Sequence, residues 1–93
     1  MIKKTDIKKI IVIENTLGLH ARPAALFVQL ANKFQSEIFV EKKDQKVNGK
    51  SIMGIMTLAA GKGQKITITA DGNDAEKAVN ALEKLLKDKF GEE

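Results

Sequence analysis

The chain's single histidine, single arginine and single proline all fall within Gly18-Leu19-His20-Ala21-Arg22-Pro23-Ala24-Ala25. A neutral imidazole can attack a phosphoryl donor without a helper base, and a guanidinium two residues along can hold the transferred group by charge-assisted hydrogen bonds. His20 is therefore the candidate nucleophile and Arg22 the candidate clamp. Upstream, Ile10-Ile11-Val12-Ile13 reads as a strand; downstream, Phe27, Leu30, Ala31 and Phe34 fall at helical spacing. The octet is then a strand-to-helix turn. Pro23 suits the first helical turn, where its missing N–H loses no intrahelical bond, so the helix begins near Ala21 and His20 sits at or beside the N-cap. The amides and the positive dipole end at that position favour an anion placed on the imidazole. Gly18 gives the turn a freedom that a Cβ would remove. His-Ala-Arg-Pro also serves as an ordinary helix start, so the octet alone leaves a structural reading open.

The rest of the chain narrows the chemistry. Ninety-three residues make one small domain, expected to span 1–93, with a single core and no room for a large substrate cavity. Without cysteine and with one histidine, disulfides, thiol catalysis, most structural zinc arrangements and multi-histidine metal sites are excluded, and neither metal nor cofactor is expected. The lysine-rich start lacks an apolar stretch behind its charges and no segment is long enough to span a bilayer, so a soluble cytoplasmic protein without membrane insertion is expected. A formal charge of +4 admits nucleic acid or an acidic protein as partner. Four Phe, no Trp, no Tyr and one Arg supply few stacking platforms or bidentate contacts, which argues against direct nucleic-acid binding.

Further along, Glu37 to Glu41 reads as a second strand and Gln45 to Asn48 as a short third, joined by Lys42-Lys43-Asp44. Ile52 to Ala60 suits a short helix capped by Ser51 and stopped by Gly61, with Ile55, Leu58 and Ala59 facing inward. Ile52, Met53 and Met56 then share another, half-exposed face. Those side chains either close the core or form a docking surface, for which flexible thioethers are suited. Ile66 to Ala70 alternates strictly, as a half-buried strand does. Asn73, with Glu76 three residues on, forms a capping box for a last helix whose stripe is Ala75, Ala78, Val79, Leu82, Leu85 and Leu86. The order β-α-β-β-α-β-α implies an α+β domain with a mainly antiparallel sheet and all helices on one face.

With both Gly18-Leu19-His20-Ala21-Arg22-Pro23-Ala24 and Lys50-Ser51-Ile52-Met53-Gly54-Ile55-Met56 in view, the chain resembles the HPr phosphocarrier family of the bacterial phosphoenolpyruvate-dependent sugar phosphotransferase system. The resemblance runs from about Ile10 to about Leu86 and leaves 1–8 as a loosely ordered N-terminal extension. It implies an open-faced β-sandwich with sheet order 1-4-2-3 and three helices on one face. It implies also that His20 takes a phosphoryl group on Nδ1 from enzyme I and passes it to sugar-specific enzyme IIA domains. Arg22 is then the phosphate clamp, Pro23 fixes the turn, and Leu19, Ile52, Met53 and Met56 form the docking patch of a monomer. On the same resemblance Ser51 is a regulatory serine, phosphorylated by HPr kinase/phosphorylase to give a corepressor of a LacI-type regulator in carbon catabolite repression. A bare helix cap accounts for Ser51 equally well. The family's regulatory-only relatives carry Gln where His20 stands here, and a nitrogen-regulatory branch also exists. In the sheet, the family's pattern turns Ile11, Ile13, Ile38, Val40, Ile66 and Ile68 toward the helices and Ile10, Val12 and Phe39 outward.

Overall fold

The computed structural model describes residues 6–91. Period-two alternation of β-branched residues drives three long strands: β1 (Asp6–Val12), β2 (Glu37–Lys42) and β4 (Lys65–Asp71), with β3 (Gln45–Asn48) a short hairpin partner of β2. They form one antiparallel sheet in the order β1-β4-β2-β3. Helices α1 (Ala21–Ala31), α2 (Ile52–Thr57) and α3 (Ala75–Lys87) cover one face and leave the other open. The fold is the α+β open-faced sandwich expected from the sequence.

Register explains the burial. Ile11 pairs with Ile66, and Val40 with Ile68, so that these four, Ile13 and Ile38 all point at the helices and are buried. Phe27, Val28, Val79 and Leu82 meet them from above. Each such fully buried aliphatic or aromatic side chain contributes roughly 1.5–3 kcal/mol of transfer free energy. Lys9, at a helix-facing position of β1, reaches Glu83 of α3 at 2.6 Å.

Several boundaries differ from the sequence reading, each for a tertiary reason. Asp6, Ile7 and Lys8, assigned above to a loose extension, pair with Asp71, Ala70 and Thr69 in β4; residues 1–5 lie outside the described residues. α1 stops at Ala31, where Asn32 donates from Nδ2 to the Val28 carbonyl, and Phe34 packs on the core from beyond the helix. α2 ends sooner than expected. Leu58 and Ala59 donate back to Ile55 and Met56, and Ala59 then turns left-handed at φ 49°. Ala59 is therefore exposed and Ala60 takes the buried place assigned to it. The N-cap of α3 is Asp74 rather than Asn73, and its side chain does not cap the helix. Its carboxylate instead accepts from the backbone N–H of Gln35 and Ser36 and from the Ser36 hydroxyl, tying the α1–β2 connection to α3. Those hydrogen bonds, the Ser36 hydroxyl first, hold the Asp74 carboxyl below its ordinary range.

Candidate functional site

The turn carrying His20 is built before the helix begins. Ile13 donates to the Gln64 carbonyl and Gly63 back to Ile13, which extends strand pairing past Val12. Asn15, wholly buried, then closes a tight turn: Gly18 N–H donates to its carbonyl, and its Nδ2 donates to the Gly18 carbonyl at 2.7 Å. Gly18 sits at φ 66°, and a Cβ there would lie 2.4 Å from the Ala60 carbonyl oxygen. Only glycine meets both demands. Leu19 N–H donates to that same oxygen at 2.9 Å, which fixes the early end of α2 to the His20 turn.

His20 is the N-cap of α1, in extended conformation, and its side chain does not cap the helix. Ala24 N–H is taken by the His20 carbonyl and Pro23 has no N–H, so Ala21 and Arg22 carry the two first-turn amides outside the helix's own ladder. The imidazole stands half-buried beside them, and the Arg22 side chain is exposed at the second helical position. Pro23 is buried in that turn. The structure thus brings His20, Arg22 and Pro23 together at the start of α1.

A shallow depression of 270 Å³ adjoins the imidazole, lined by Leu17, Leu19, His20, Met56, Ala59, Ala60 and Gly61. It falls below the size of small-molecule sites. Leu17 (71% exposed) and Met56 (40%) border it, and Ile52 (43%) and Met53 (72%) in the first turn of α2 are exposed apolar side chains as well. Leu19 departs from expectation, being only 4% exposed; its N–H is tied to Ala60 and its side chain goes into the core. Leu17 holds the exposed place instead. The Leu17-Gly18 pair after a turn asparagine is a signal that sequence reading could have used. Asn15 was missed for the same reason.

Ser51 lies at the other end of α2. Its Oγ accepts from Gly54 N–H at 3.0 Å and its carbonyl from Ile55 N–H, so it caps the helix in full. Six residues of α2 place Ser51 roughly 9 Å along the helix from the end that meets the His20 turn. Two side chains from the β2–β3 hairpin hold that latter end: Lys42 Nζ donates to the Ala59 carbonyl and Gln45 Nε2 to the Thr57 carbonyl, both at 3.3 Å. Neither was singled out in the sequence. Among the described residues no group of three His, Cys, Asp or Glu side chains is arranged to hold a metal ion.

The family model described as "PTS HPr component phosphorylation site" matches residues 7–88. The chain belongs to the HPr family. It is 51% identical over 86 residues to phosphocarrier protein HPr of Neisseria meningitidis, covering 92% of this chain and 97% of that one. It is 55% identical over 76 residues to the HPr-like protein Crh of Halalkalibacterium halodurans, covering 82% and 90%. The crystal structure of HPr-C-His from Thermoanaerobacter tengcongensis superposes with a TM-score of 0.90 at 55% identity, covering 94% of this chain and 98% of that one. An HPr dimer from the same organism superposes at 0.76 and 57% identity, covering 88% and 94%. The HPr fold thus extends over nearly the whole length of the chain.

Proposed function

We propose that this HPr-family chain is a stoichiometric phosphocarrier that accepts a phosphoryl group from phospho-enzyme I on Nδ1 of His20 and hands it to sugar-specific enzyme IIA domains. The observation that carries the reading is His20 at the N-cap of α1 with its side chain not spent on capping. The Nδ1 lone pair attacks phosphorus as the donor's bond to phosphorus breaks, and the reverse exchange delivers the group onward. Phosphoryl transfer of this kind is mostly positioning and charge stabilisation. The amides of Ala21 and Arg22 and the Arg22 guanidinium serve the phosphate oxygens here; partners supply the rest. The exposed apolar side chains Leu17, Ile52, Met53 and Met56 are the docking surface, small enough for the fast release that a relay needs. Every residue so used comes from a single chain. The setting is the cytoplasm, where the phosphotransferase relay runs, in keeping with the absence among the described residues of any helix long and apolar enough to cross a membrane.

Ser51 is the regulatory site, modified by HPr kinase/phosphorylase and, once phosphorylated, recognised by a LacI-type regulator. Its likeness to Crh supports a second reading, a regulatory-only protein working through Ser51 alone. His20, where the regulatory-only relatives carry Gln, favours the relay. Labelling from phosphoenolpyruvate through enzyme I separates the two: the relay requires label on the wild type and none on His20→Ala, whereas an unlabelled wild type leaves only the serine pathway.

A further inference from the structure

No cysteine is present to meet a peroxide first, so three thioethers are the only sulfur in the chain. Two of them, Met53 and Met56, fall within the six residues of α2, while Met1 lies outside the described residues. Neither Met53 nor Met56 belongs to the core, which is built from Ile, Leu, Val, Ala and Phe. Met53 is 72% exposed; Met56 is 40% exposed and borders the depression beside His20. A thioether has no proton to lose, so its reactivity is not tuned through a pKa as a thiol's is, and access to solvent decides which sulfur reacts first. That sulfur is Met53. The helix around it is held by the Ser51 hydroxyl on Gly54 N–H and by buried Ile55, so a change at the thioether leaves the fold in place.

We propose that Met53 is an oxidation site through which a hydroperoxide turns down the docking of enzyme I. The proposal rests on the docking surface assigned above. A sulfur lone pair attacks one peroxide oxygen; the S–O bond forms as the O–O bond breaks, and the departing hydroxide takes the proton of the transferred oxygen and leaves as water. The sulfur is oxidised by two electrons and the peroxide is reduced. Methionine sulfoxide reductase reverses the step at the expense of two thiols, which become a disulfide while the oxygen leaves as water. The sulfoxide replaces a soft apolar group with a strong acceptor, on a surface that otherwise offers Leu17, Ile52 and Met56. A partner that desolvates those side chains must bury the new oxygen unpaired or hold it at a distance.

The test doses the full chain stepwise with hydrogen peroxide, locates the added oxygen by mass spectrometry of its peptides, and measures enzyme I binding by calorimetry before and after. Oxygen should enter Met53 ahead of Met56, the dissociation constant should rise at least about tenfold with the circular dichroism unchanged, and methionine sulfoxide reductase with dithiothreitol should restore it. Met53→Leu, compared only with its own untreated sample, should stay within about twofold at the dose that oxidises Met53 in the wild type. Oxygen entering Met56 first, unchanged binding after oxidation of Met53, a loss that the reductase does not reverse, or an equal loss in Met53→Leu overturns the proposal and leaves the relay standing. An untreated protein that fails to bind enzyme I overturns the relay reading and this switch with it.

Discussion

Two helix starts in this molecule are capped in opposite ways. At α2 the Ser51 hydroxyl accepts from Gly54 N–H and is consumed by its own helix; at α1 the His20 side chain makes no cap bond. The contrast fits the roles proposed for the two positions. Ser51 contributes to stability whether or not it is modified, while His20 leaves its helix to be held by Pro23, Asn15 and Gly18 and keeps the imidazole at the surface. On the proposed function, one start is structural first and the other chemical first.

The sharpest way to break this contrast is to delete each side chain. His20→Ala should abolish label transfer from enzyme I with the melting temperature nearly unchanged, since no cap is lost. Ser51→Ala should do the reverse, leaving the initial labelling rate near wild type and removing about 1 kcal/mol of stability, read by urea titration. Phosphate on Ser51 meets the amides and the positive end of α2, so the fold is kept, but a dianion now adjoins Ile52, Met53 and Met56. A docking loss of about 3 kcal/mol would lower affinity for enzyme I more than a hundredfold, measurable by calorimetry with the serine-phosphorylated protein. Equal affinity would leave Ser51 as a cap alone.

Arg22→Ala sharpens the chemical side. It should fold as the wild type does and transfer about ten- to a hundredfold more slowly in rapid-quench experiments, since charge-assisted hydrogen bonds are worth about 1.5–3 kcal/mol. An unchanged rate removes Arg22 from the relay.

A smaller effect lies away from both turns. Asp74 and Glu83 are held below their ordinary ranges, Asp74 chiefly by the Ser36 hydroxyl and Glu83 chiefly by Lys9. A carboxylate whose folded value is depressed adds stability above its unfolded pKa and loses it as pH falls through the folded one. Stability should therefore decline on acidification below about pH 4, the unfolded carboxylate range. Ser36→Ala should flatten that decline, measured as the urea midpoint against pH; an unaltered slope would mean that the Asp74 tether is not what titrates.

The same pair of turns shows how far the sequence could be read. His20 at the N-cap and Ser51 capping α2 follow from local rules, because proline placement and hydroxyl capping act within a few residues. Leu19 and Ala59 were misplaced because their positions are set across the molecule: the Ala60 carbonyl must stay open to Leu19 N–H, which ends α2 early and turns Leu19 inward. Asp74 displaced Asn73 for a like reason, since Gln35 and Ser36, distant in sequence, compete for its carboxylate. In the strands, the strict alternation of Ile66 to Ala70 was legible by itself and the inward face of β1 and β2 followed the family's pattern, but Asp6, Ile7 and Lys8 were not legible as strand, because pairing with β4 places them.

The most direct test of the central claim is nitrogen-15 NMR of the protein labelled at histidine, recorded before and after phosphorylation by enzyme I and phosphoenolpyruvate. A phosphorus coupling at Nδ1 of His20, lost on mild acid treatment, is the expected result. Phosphorus on Nε2, or label on the protein with the His20 ring signals unmoved, would contradict it.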